Sequence, residues 1–257
     1  MKKSLLFLGF TFLLSYVSFS ILTMLSNNDV IAFNGLFGQS LFILGGSSPT
    51  IIAIILIMRL EKKDTQEIFF KSIFKTEASI NYWIIALILP LVIGLFFQMS
   101  YRINHPEHTF VMADLWQFVM FFLAAIVFGG LEEVGWRGYL LPRLTKQSNL
   151  LIATLLTGII WGFWHLPLFF LEAHTTSSYA FIPYLLGALM YSTYLSILYV
   201  KTKSILLTIL FHAAINATSS FGLPIIFEHD RIVYAYLITL TVIGFAIIYK
   251  IDQKESV

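Results

Sequence analysis

Four polar side chains interrupt stretches of this chain that are otherwise apolar: Glu132, His165, His212 and Asn216. Placing an ionisable group in hydrocarbon costs at least ~2.5–3.5 kcal/mol on insertion scales, so such a group normally has a partner or a task. A carboxylate and an imidazole are the side chains best suited to take a proton from water. His and Asn can also donate hydrogen bonds to a developing oxyanion. Together these residue types would equip a hydrolase whose chemistry takes place inside a bilayer.

Each residue sits in a short motif with a plainer alternative beside it. The first is Glu132-Glu133-Val134-Gly135-Trp136-Arg137. On a helix, Glu133 and Arg137 stack four apart on one face with the acid first, the favourable order. Glu132 points about 100° away round the axis, so one carboxylate can be neutralised while the other works in a different environment. The plain alternative is a charged helix end lying among headgroups. The second is Trp161-Gly162-Phe163-Trp164-His165-Leu166-Pro167, where Pro167 is placed to break a helix and open a cavity beside the imidazole. A lone His among aromatic rings is otherwise a hydrogen-bonded core residue. The third is Phe211-His212-Ala213-Ala214-Ile215-Asn216, whose His and Asn share one helical face. Its alternative is polar contact between helices, at ~0.6–2 kcal/mol each. Three such elements in succession are explained more simply by one shared site than by three separate causes.

The elements that must position these residues are membrane spans. The chain has 257 residues, 58% of them hydrophobic and only 12% charged, against roughly 25% charged in soluble domains. Spans need ~20 apolar residues, and eight segments qualify: roughly 4–25, 38–60, 80–100, 114–140, 150–171, 181–200, 204–222 and 232–250. The expected fold is therefore all-α, a polytopic membrane bundle of about eight transmembrane helices around an intramembrane polar cavity. It forms a single domain over 1–257, with the three motifs in a core at 114–222. Lys and Arg fall in alternate connections: Lys2 and Lys3, then Arg59 to Lys75, then Arg137, Arg143 and Lys146, then Lys201 and Lys203, then Lys250 and Lys254. The opposite connections hold only Arg102 and Arg231. The positive-inside rule then places both termini in the cytosol. The opening run from Met1 continues to about Leu25, longer than a signal core of ~7–15 residues, and reads as a retained first helix.

Several chemistries are excluded. The chain has no Cys, which removes disulfides, thiolate metal ligands and a cysteine nucleophile. It has no Gly-x-Ser-x-Gly elbow or phosphate-binding glycine loop, and its net charge of +2 follows from orientation without nucleic acid. The basic segment Arg59 to Lys75 reads as a solvated loop or as one lying on anionic headgroups. His105, His108, Asp114, Glu172, His174, His229 and Asp230 fall in outer connections or at span edges and receive no chemical role.

The ordered trio Glu-Glu-x-x-x-Arg, aromatic-x-x-x-His and His-x-x-x-Asn, over residues 114 to 222, resembles the CAAX prenyl protease and bacteriocin-processing family (CPBP, also called Abi). The resemblance implies a prokaryotic-type intramembrane endopeptidase, expected in a bacterial plasma membrane. In it Glu132 and His165 activate water, His212 and Asn216 stabilise the oxyanion, and Glu133 with Arg137 forms a supporting ion pair. Its partners would be the bilayer and a peptide or membrane-protein substrate. The family's second motif usually begins with Phe where this chain has Trp161, an exchange expected to preserve packing.

Two matters remain for the structure. At 1.5 Å per residue, His165 lies ~22 Å from the basic end of its span, while Glu132 falls nearer the surface if its helix stops at 140. Glu132, His165 and His212 are also a common zinc set with water as fourth ligand. The absence of His-Glu-x-x-His, and an Asn216 with no place as a ligand, favour a metal-free mechanism without cofactor. The competing functions are a non-catalytic immunity or scaffold protein, which has no need of a paired acid and base, and a proton-coupled transporter. The latter's repeat symmetry is not apparent in polar residues confined to three spans.

Overall fold

The computed structural model describes residues 2–255; Met1 and the side chain of Lys254 lie outside the described residues. All regular structure among them is helical. In chain order the helices are α1 (Lys2–Asn27), α2 (Leu36–Gly46), α3 (Ser48–Leu60), α4 (Lys63–Ile73), α5 (Ile80–Asn104), α6 (Leu115–Val127), α7 (Glu133–Gly135), α8 (Leu141–Thr145), α9 (Leu150–Trp164), α10 (Phe181–Thr202), α11 (Ile205–Ser220) and α12 (Arg231–Glu255).

The all-α polytopic bundle is as expected: among the described residues six of the eight expected segments are helical runs long and apolar enough to cross a membrane, and the pair α2 and α3, bent by 51°, makes a seventh if it crosses as one. The segment expected at 204–222 is the 16-residue α11, short for a bilayer crossing. The bend follows from local chemistry. Ser47 caps α2 and starts α3, and Pro49 enters the first turn of α3, where its missing N–H costs nothing.

Side chains are sorted as a lipid environment requires. Leu13, Ile84, Phe96 and Val242 face outward, whereas Thr11, Ser15, Ser192, Ser196 and Thr208 are buried between helices. Small hydroxyl residues allow close helix approach, and their O–H groups return to backbone carbonyls when no other partner exists. Ser15 donates to Thr11 O and Thr157 to Ala153 O, both at 2.8 Å. Within the bundle α10 packs chiefly on α9 and α12, and α11 on α5 and α6. The α10–α11 turn is tight: Lys203 takes a left-handed conformation (φ 52°), the Ser204 N–H reaches Thr202 Oγ1, and Ser204 Oγ caps α11 at Leu207 N.

The segment after α6 matters most for function. Helix α6 stops at Val127; a 3-10 turn (Gly130–Glu132) leads into α7, and a π turn (Trp136–Leu140) leads into α8. Pro142 at the start of α8 cannot donate to the carbonyl four residues back, and the wider turn lies directly before it. Such π insertions cluster at functional sites. The run from Leu115 ends at Thr145 rather than 140, which brings Glu132 to a depth similar to that of His165. Counting 1.5 Å per residue, Glu132 lies roughly 20 Å from that end and His165 roughly 22 Å from the start of α9.

Candidate active site

The three motifs converge on one cavity of about 340 Å³, whose walls include Glu132, Trp161, His165, His212 and Asn216. The first motif is anchored from both sides. Thr50 of α3 donates a short hydrogen bond to the carbonyl of Leu131. Gly135 lies against the backbone of Pro49 so closely that a Cβ there would stand 2.6 Å from Pro49 O. Glu133 and Arg137 are completely buried, with Arg137 Nη1 3.0 Å from Oε1 and 2.9 Å from Oε2 of Glu133. They are therefore an interior ion pair and no charged helix end among headgroups. Breaking such a pair by removing one partner typically costs about 3–5 kcal/mol, because the other charge is left stranded.

Glu132 is buried on the other side of this turn. Its Oε2 accepts from two indoles, Trp161 Nε1 at 3.0 Å and Trp136 Nε1 at 3.4 Å. Trp161 is the hub of the site. Its N–H holds Glu132, its ring face lies 5.3 Å from the Arg137 guanidinium carbon, and its edge meets the rings of His165 (5.4 Å) and His212 (5.3 Å). The sequence reading treated Trp161 as packing alone and missed this role. The available signal was its place one helical turn before His165, on the same face.

Helix α9 ends at Trp164, so His165 occupies the C-cap ahead of a 3-10 turn, Leu166–Phe170, that contains Pro167. Its Nδ1 lies 2.8 Å from the Trp161 carbonyl. A carbonyl can only accept, so Nδ1 carries the proton and Nε2 of the neutral ring holds a lone pair. Trp161, Trp164 and Tyr184 box the ring at centroid distances of 5.4, 4.7 and 5.5 Å. On α11, His212 Nδ1 lies 2.9 Å from Glu133 Oε1. Glu133 therefore serves both Arg137 and His212, a link the sequence did not reveal. Asn216, one turn further, is partly exposed to the cavity and makes no hydrogen bond among the described residues. Gly129 floors this corner: a Cβ there would lie 2.3 Å from Asn216 Nδ2 and 3.3 Å from His212 Nε2.

Comparison with known proteins finds similarity over the segment that carries the three motifs. Residues 114–218 match the family model "Type II CAAX prenyl endopeptidase Rce1-like". The chain is also similar to "CAAX prenyl protease 2" of Methanococcus maripaludis, 29% identical over 188 residues, covering 67% of this chain and 68% of that protein. Both similarities support the resemblance to the CPBP family that the three motifs carry.

Together with the long apolar helices, these similarities support an integral membrane protein of protease type. The matched segment ends two residues beyond Asn216 and holds all three motifs. His174, given no role from sequence, lines the cavity mouth with Thr176 and Tyr179. Burial pushes its imidazole down to about 4, so it is neutral at ordinary pH. The other outer residues stay away from the cavity: His105 pairs with Asp230 at 3.3 Å and His108 with Gln98 at 2.8 Å. Among the described residues no three His, Cys, Asp or Glu side chains are grouped closely enough to hold a metal ion.

Proposed function

We propose that this chain is a protease of the CPBP type and hydrolyses a peptide bond within the membrane, using a water held between Glu132 and His165. The observation that carries the reading is the division of labour between the two adjacent carboxylates. Glu133 is tied to Arg137 and His212, while Glu132 meets only indole N–H groups through one oxygen and lines the cavity. Two acids in such different environments suit different roles.

In the proposed reaction Glu132 takes a proton from the water as its oxygen bonds to the scissile carbonyl carbon. Nε2 of His165 accepts a hydrogen bond from the water's other O–H and fixes its orientation; the Trp161 carbonyl holds that tautomer. The carbonyl oxygen becomes an oxyanion facing Asn216 and His212. His212 can donate from Nε2 only if it carries both ring protons, since Nδ1–H is committed to Glu133. Glu133 is then its counter-ion. Collapse of the tetrahedral intermediate breaks the C–N bond, and Glu132 returns its proton to the departing amine. The water's second hydrogen stays on the new C–OH, so the first products are a carboxylic acid and an amine; proton exchange between them leaves a carboxylate and an ammonium group, with Glu132 ionised again.

The cavity is rimmed by Phe19, Phe42, Trp164, Tyr184 and Phe227, an apolar aromatic surface suited to an extended hydrophobic segment. We infer a substrate held in or at the bilayer, either a membrane-embedded peptide or a lipid-modified tail; the Methanococcus relative is named for prenylated CAAX substrates. The test is mass spectrometry of membrane peptides from matched cells carrying the wild type or Glu132→Gln. A product present only with the wild type is expected; identical peptide profiles would refute the proposal. Activity should survive dialysis against a tight chelator, whereas a loss restored by zinc would replace the glutamate mechanism by a metal one.

A further inference from the structure

A second cavity lies at the opposite, basic end of the bundle. It has a volume of about 1220 Å³ and is bordered by α4, the start of α1, the end of α8 and the α10–α11 turn. Seven Lys and Arg side chains line it against two acids, Glu61 and Glu77. Glu61 is already neutralised: Lys3 Nζ lies 2.9 Å from one of its oxygens and Arg143 Nη2 2.6 Å from the other. Lys2 and Lys146 have no partner among the described residues, and Lys203 meets only the Tyr199 ring, at 5.9 Å. The groove thus carries unbalanced positive charge.

Its frame is built. Gln66 Nε2 donates to the carbonyls of Met58 and Glu61, tying α4 to the end of α3. At the other end Lys75 Nζ donates to Thr202 O, and Ser204 Oγ donates to Lys75 O. Helix α4 is two-sided: Phe69 is buried in the core, while Ile68 and Phe74 border the groove and are 71% and 76% exposed. A helix with this pattern lies in the plane of the interface with its apolar residues at the acyl boundary.

We propose that this groove binds an anionic phospholipid, its phosphodiester among Lys2, Lys146 and Lys203 and its acyl chains along Ile57, Ile68 and Phe74. Positive charge attracts an acidic peptide as well, but charge alone does not call for the exposed apolar Ile68 and Phe74 beside it. The two features occur together in a lipid. Basic residues at a membrane surface each contribute measurably to such binding, and Lys as a compact charge is suited to phosphate.

The test uses the full chain in detergent micelles supplemented with equal phosphatidylcholine and phosphatidylglycerol, with retained lipid measured by native mass spectrometry. Phosphatidylglycerol should be retained on the order of tenfold over phosphatidylcholine. The variant Lys2→Gln/Lys146→Gln/Lys203→Asn should lose that preference; Asn at 203 tolerates the left-handed backbone. None of the three side chains makes a hydrogen bond or ion pair in the structure, and an unchanged melting temperature would verify folding. Should the variant not fold, the wild-type preference decides alone. Equal retention of the two lipids, or full retention by a folded variant, would overturn the proposal. Displacement of the phosphatidylglycerol by an acidic peptide but not by excess phosphatidylcholine would also overturn it, assigning the groove to a protein partner. The outcome is independent of peptidase activity.

Discussion

Replacing Trp161 with Phe removes the indole N–H and trims the ring while keeping an aromatic face, which makes it the sharpest probe of how the proposed general base is held. The lost donor is the nearer of two on Glu132 Oε2, at 3.0 Å against 3.4 Å for Trp136. A hydrogen bond to a charged group contributes about 1.5–3 kcal/mol, and a buried acceptor left unmatched incurs its desolvation cost. Because Trp136 remains, the lower part of that range applies, and kcat should fall roughly tenfold to thirtyfold. The aromatic face towards Arg137, 5.3 Å from the guanidinium, is retained, so the Glu133–Arg137 pair should persist and the protein should fold. KM should hardly change, since the lost bond is to Glu132 and not to substrate. The assay is single-turnover cleavage of a product-defining peptide in proteoliposomes, with kcat and KM obtained separately. Trp136→Phe is the control and should have the smaller effect on kcat, its bond being longer. A Trp161→Phe enzyme with wild-type kcat, or one altered only in KM, would show that the indole packs against substrate and does not hold the carboxylate.

Three further outcomes follow. Asn216→Ala should lower kcat by about 10²–10³, the ~2.7–4 kcal/mol expected of a lost oxyanion donor, with little change in melting temperature; a rise in KM alone would remove Asn216 from that role. Gly129→Ala should reproduce much of that loss without touching a polar residue. Its Cβ would stand 2.3 Å from Asn216 Nδ2 and drive the amide aside, so activity close to the wild type would contradict the geometry. The third concerns pH. Burial pushes the Glu61 carboxyl up, but hydrogen bonds from Lys3 and Arg143 outweigh it and hold the group below its ordinary 4.5. A depressed folded value means that this clasp stabilises the protein at neutral pH and that the contribution fades as pH falls below about 4.5. Glu61→Gln should therefore lower the melting temperature at neutral pH, with the deficit shrinking in acid; a deficit of equal size at both would refute the ion-pair account.

The sequence by itself determined the class, the helical bundle and the identities of the polar residues. Hydrocarbon permits few backbone solutions and penalises every unpaired charge, so Glu132, His165, His212 and Asn216 stood out against their surroundings. The i, i+4 spacing of Glu133 and Arg137 likewise placed them on one face before any coordinates. What the sequence could not determine depends on contacts between distant elements. It set neither the 16-residue length of α11 nor the 51° angle at which α2 and α3 meet across Ser47 and Pro49. It did not show that Glu133 reaches His212, 79 positions away, or that the Trp161 indole reaches Glu132 across 29. Hydropathy reads Trp161 as one more large apolar residue; only the meeting of α9 with the turn before α7 makes its N–H a partner for a carboxylate. The position of Glu132 was equally hidden, since the 3-10 and π turns around it depend on Gly129, Pro142 and the close approach of Pro49. Residue type is local information, whereas the direction in which a side chain points is set by everything packed around it.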